Sequence, residues 1–99
     1  MRTLLRSDAV CEDIAVYLHH HPSALDTARG VAEWWVDRDP RSTEHALSKL
    51  LEHRVVTSYA HGSVRIYGYT KDRDIRRTVA AHVKSARRSA PRIDAQRIG

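Results

Sequence analysis

The sequence predicts an α+β domain in which three helices precede a β-hairpin and a further helix follows it. Three observations carry this. Apolar residues recur at helical spacing in four stretches of the chain. One of these stripes, Ala46, Leu47, Leu50 and Leu51, ends three residues before a β-branched and aromatic run that spans His61-Gly62. The region 42–69 therefore reads as a helix feeding straight into a tight hairpin, which Thr70 closes.

The first predicted helix covers 8–20. Ser7 can cap it, Asp8 complements its dipole, and Val10, Ile14, Tyr17 and Leu18 form its apolar stripe. Three histidines, His19 to His21, stand at its end, and Pro22 stops it. The second covers 27–36 with Asp26 as N-cap. Ala28, Val31, Ala32 and Trp35 follow the i, i+3, i+4, i+7 rule, and Trp34 lies beside them. Gly30 costs about 1 kcal/mol there relative to Ala, which a close helix–helix approach would explain. Pro40 prevents this helix from continuing.

The third helix covers 43–53, capped by Ser42 or Thr43. The hairpin pairs 55–59 with 64–69, and Gly62 supplies the positive φ of its turn. A lone hairpin is marginal in water, so it must lean on the helices, through Val56, Ile66 and Tyr67. The fourth helix begins after Thr70, its expected N-cap, and runs to 88 with Ile75, Val79, Val83 and Ala86 as a narrow apolar stripe. Residues 89–99 read as a disordered basic tail. The expected organisation is thus a domain over 1–70, a basic amphipathic helix over 71–88 and the tail.

A chain of 99 residues with 41% hydrophobic content fits one domain with a modest core. No apolar run approaches the ~18 residues that span a bilayer, and the N-terminus lacks the apolar core of a secretory signal. Cys11 is the single cysteine, so no intramolecular disulfide forms, which fits a reducing, cytoplasmic setting. Glu12 and Asp13 beside it raise a thiol pKa and oppose nucleophilicity. With no phosphate loop and no nucleophile elbow, no enzymatic activity and no cofactor are expected. The histidines show no metal-ligand spacing, so no metal is expected.

The net charge is +5 and unevenly placed: residues 1–70 hold 8 Lys/Arg against 9 Asp/Glu, and residues 71–99 hold 9 against 3. The excess positive charge therefore follows the hairpin. Arginine, which outnumbers lysine 14 to 3, suits phosphate because its planar fork donates two parallel hydrogen bonds.

The order helix, helix, helix, hairpin, helix resembles the winged helix-turn-helix superfamily, over about residues 8–70. The segment DTARGVAEWW is also similar to helix 2 of small bacterial winged-helix proteins. The resemblance implies binding of double-stranded DNA, as a transcriptional regulator or chromosome-associated factor. The 43–53 helix would be the recognition helix, presenting Arg41, Ser42, His45, Ser48 and Lys49 to bases or phosphates. The hairpin would be the wing, offering His61, Ser63 and Arg65. Arg73, Arg76, Arg77, Lys84, Arg87 and Arg88 of the last helix would contact phosphates, and its apolar stripe would pack on the first helix or form a homodimer. Glu44 and Glu52 on the third helix depart from a strong DNA reader. The alternative is a winged helix used as a protein–protein interaction module or accessory subunit, with Trp34 and Trp35 as contacts.

Overall fold

In the computed structural model, which describes the backbone of residues 1–98 and the side chains of residues 1–85, four helical segments start on a side-chain cap. Asp8 caps α2 (Ala9–His20), its Oδ1 accepting from the backbone N–H of Val10 and Cys11. Thr27 caps α3 (Ala28–Gly30), which continues as a π-helix (Val31–Val36). Asp39 caps α4 (Pro40–Glu52), and the carboxylate of Asp72 accepts from Asp74 and Ile75 at the start of α5 (Arg73–Ile98). Each cap satisfies backbone donors that a helix cannot satisfy itself.

Several expected boundaries move. Ser7 caps nothing: it ends an additional short helix, α1 (Arg2–Ser7), and its hydroxyl donates to the Thr3 carbonyl. Six residues are too few to show a period, but Leu5 of α1 is fully buried. Asp26 is not the cap of the second helix; its Oδ1 accepts from the N–H of Thr27 and its carboxylate covers Gly30. A Cβ at Gly30 would collide with that carboxylate, so the glycine admits an acidic side chain rather than a neighbouring helix. Neither Ser42 nor Thr43 starts α4, because Pro40 fits the first helical position, where its missing N–H costs nothing. Thr70 precedes the cap of α5, and its Oγ1 accepts from Asp72. The α5 backbone continues to Ile98, past the end expected at 88. Ala86, Arg87, Arg88 and Ala90 are strong helix formers and carry the helix up to Pro91, which propensity alone would make its end; the backbone stays helical through the stretch expected as a tail.

The strands form a mixed helix-and-sheet fold with one antiparallel sheet in the order β1-β3-β2. In the hairpin, β2 (Val56–His61) pairs with β3 (Val64–Tyr69) from Val56↔Tyr69 to His61↔Val64. A two-residue turn remains, with Gly62 at φ 64. The two-residue β1 (Leu25–Asp26), which gave no sequence signal, adds to the other edge of β3. Arg54 takes φ 62, which lets Val55 N–H reach the Leu50 carbonyl and turns α4 directly into β2.

Because strand side chains alternate, this register fixes two faces. Val56, Ser58, Tyr67 and Tyr69 face the helices, while Thr57, Tyr59, Ile66 and Gly68 face away. Ile66 therefore does not anchor the hairpin; Val55, Val56 and Tyr69 do, with Tyr67 packed beside them. They join Leu5, Ile14, Leu18, Leu47, Leu50, Val79 and Val83 in one core. Each fully buried aliphatic side chain contributes about 1.5–3 kcal/mol. Val79 and Val83 lie in this core because α5 packs on α1 and α2. Over 75–83 the α5 stripe is thus covered by the chain's own fold and is not an open dimer seam. Ala86 lies outside the residues with described side chains. Among the described residues, no helix is long and apolar enough to cross a membrane.

Candidate nucleic-acid interface

The outward side of α4 follows from its core side. With Thr43, Ala46, Leu47 and Leu50 buried, the helical period turns Arg41, Ser42, His45 and Ser48 to solvent. Arg41, Ser42, His45 and Lys49 line one shallow depression of about 300 Å³, and Asp8 forms part of its wall. Ser48 is exposed on the same helix outside it. Four of the five α4 residues singled out in the sequence are therefore brought together.

Their electrostatics differ from the expectation. Lys49 Nζ lies 2.7 Å from Asp8 Oδ2, so the cap of α2 and the lysine of α4 form an ion pair. The Lys49 hydrogen bond holds the Asp8 carboxyl below its usual range, and the same bond raises the lysine. One carboxylate thus serves two tasks: Oδ1 caps a helix and Oδ2 cancels a cation. Glu44 and Glu52 are exposed on α4 as well, leaving Arg41 as the cation of this face without a carboxylate partner among the described residues.

The hairpin tip is exposed at His61 and Ser63. Arg65 is also exposed, and its Nη1 donates to Ser58 Oγ at 3.0 Å across the ladder. On α5, Arg73 and Lys84 are exposed, and Arg77 lies 3.7 Å from Asp74 with both side chains well solvated, a weak pair. Arg76 is half-buried. Its Nε donates to the Thr70 carbonyl at 2.6 Å and its guanidinium stands 4.7 Å from the centre of the Tyr69 ring. Arg87 and Arg88 lie outside the residues with described side chains.

Trp34 and Trp35 separate. Trp35 stacks on Tyr17, centroids 4.9 Å apart and 10° between planes, whereas Trp34 is 75% exposed. Cys11 is fully buried, and burial, then the charge of Asp8, pushes its thiol up to about 12. Asp8 rather than Glu12 or Asp13 is the carboxylate responsible. Sequence reading also missed two tertiary pairs. Arg38 meets Asp13 at 2.8 Å, and His82 on α5 meets Glu12 on α2 at 2.6 Å. Separations of 25 and 70 residues leave no local signal for either pair. Comparison with family models, with curated proteins and with solved structures gives no match to this chain.

Proposed function

We propose that this chain is a winged helix-turn-helix protein that binds double-stranded DNA, acting as a transcriptional regulator or chromosome-associated factor. The order α2, α3 with its π-helical extension, α4, hairpin and α5 supports the fold reading. The observation that carries the function is the α4 face. Arg41, Ser42, His45 and Ser48 are solvent-exposed on a helix that leads directly into a hairpin with an exposed tip. Such a helix suits a major groove, where arginine bonds guanine and the small polar residues reach bases or phosphates. The hairpin would then meet the flanking backbone through His61, Ser63 and Arg65. Arg73, Arg77 and Lys84 of α5 add a sequence-independent attraction to phosphates.

Fluorescence anisotropy on a labelled random duplex, titrated with salt, tests this reading. Affinity falls steeply with salt, and each phosphate-contacting cation replaced by alanine lowers the slope by about 1. Arg41→Ala with His45→Ala weakens binding. If affinity for the duplex is unchanged by these substitutions and by Arg73→Ala with Arg77→Ala, the reading is wrong. A protein-interaction role is the second reading, and the 75% exposure of Trp34 favours it, since tryptophan is enriched among interface anchors.

A further inference from the structure

Among the described residues, apart from Trp34 on the π-helix, the exposed large apolar side chains lie on the sheet. Leu25, Tyr59 and Val64 are 58%, 51% and 46% exposed, and all three belong to the outer face of the sheet. The register places them there: Leu25 pairs with Gly68, Tyr59 with Ile66, and Val64 with His61, alternating with the residues that face the core. Gly68 has no side chain, which lets Leu25 lie over it, its Cδ2 2.5 Å from where a Cβ would stand, on the side of the sheet that Tyr59 also occupies. A groove of about 610 Å³ lies there and ends at Lys71 and Arg76. A second groove, about 440 Å³, shares Tyr69 and Arg76 with the first and continues along α5 past Arg77. Among the described residues, no Asp or Glu lines either groove.

We propose that this surface docks a segment of a protein partner that carries an apolar anchor flanked by carboxylates. The apolar half, Leu25 and Tyr59, offers an aromatic and an aliphatic wall of the kind that holds a buried anchor side chain. The basic half selects the partner's charge. Lys71, Arg76 and Arg77 attract carboxylates and repel cationic segments, which gives orientation and specificity. Arg76 is ordered before any partner arrives, because the Thr70 carbonyl and the Tyr69 ring already hold it. A pre-positioned guanidinium loses less entropy on meeting a carboxylate. Phosphates would find the basic half but no use for the apolar one. This surface uses none of the α4 residues and shares only Arg73 and Arg77 with the phosphate contacts proposed for α5, so Tyr59→Ala and Arg41→Ala test the two readings separately.

Selection of short random peptides displayed on phage against the full chain tests the proposal, followed by anisotropy with a synthetic selected peptide. Selected peptides should carry Leu, Phe or Trp beside Asp or Glu. Tyr59→Ala and Lys71→Glu should each weaken the synthetic peptide about tenfold or more. Replacing the peptide's carboxylates by amides should do the same. Both protein positions are exposed, so the thermal midpoints of the variants should stay with the parent, and Arg41→Ala should leave peptide affinity unchanged. Selection of neutral or basic peptides, or affinity indifferent to Tyr59→Ala and Lys71→Glu, overturns the proposal. So does a duplex that displaces the peptide and is itself weakened by Tyr59→Ala, which would assign the face to nucleic acid.

Discussion

α4 and α5 each turn one cation back toward the fold, and the two cases end differently. On α4, Lys49 meets the carboxylate of Asp8 at 2.7 Å. On α5, Arg76 meets a backbone carbonyl at 2.6 Å and the face of a tyrosine. The first partner carries a full negative charge and cancels the lysine locally. The second pair of partners is neutral, so the arginine is held in place with its charge intact. Exposed Glu44 and Glu52 lower the α4 face further, while Asp74 is the acidic residue in the first turn of α5. The sequence shows the charge excess after residue 70. The structure adds that the α4 side loses part of what it has.

The largest effect that can test this contrast concerns what holds α5. Val79→Asp puts an unpaired carboxylate into a fully buried position, which should cost on the order of 3 kcal/mol or more and lower the urea midpoint sharply. A variant that changed only self-association, with stability intact, would show α5 to be a separable seam rather than part of the core.

Asp8 gives the next largest effect. Asp8→Ala removes the α2 cap, worth about 1 kcal/mol. Asp8→Asn keeps a competent cap and removes only the ion pair, so the two variants separate the tasks. The sign of the pH dependence is fixed by direction: the folded Asp8 carboxyl titrates below its usual range. Its stabilisation is full above the ordinary carboxylate pKa and is lost as pH falls through the lowered folded value. Urea unfolding of the parent and Asp8→Asn should therefore differ at pH 7 and converge toward pH 2. Asp8→Asn also releases the charge of Lys49, so duplex affinity should rise and its salt dependence steepen. Unchanged affinity would mean that the α4 depression does not face the nucleic acid.

The smallest effect separates the two tryptophans. Trp34→Ala should change stability by less than about 0.5 kcal/mol, because the ring is 75% exposed. Trp35→Ala should lower the thermal midpoint measurably by removing the stack on Tyr17. Equal losses would place both rings in the fold.

Much of the fold was legible because it rests on local rules. The α4 stripe, the switch to strand chemistry and Gly62 in the turn all depend on spacing and backbone preference within a few residues. Ile66 was misplaced because one residue of register exchanges the two faces of a strand, and register is a pairing property. Of the candidate interface, His45 and Ser48 followed from helical period, Arg41 and Ser42 from their place at the start of that helix, and His61 and Ser63 from their place beside the hairpin turn. The roles of Lys49 and Arg76 did not, because each depends on a neighbour from another element.

The sequence by itself determined the cores of four helices, where the hairpin turns and where the excess charge lies. These are set by side-chain period, backbone preference and composition. Only the tertiary structure decided which cations keep their charge at the surface and which face of the hairpin is apolar and open. Asp8 and Lys49 stand 41 residues apart, and β1 reaches β3 across the whole of α4. Electrostatic and packing energies depend on distance in space, and chain separation of that size carries no trace of it.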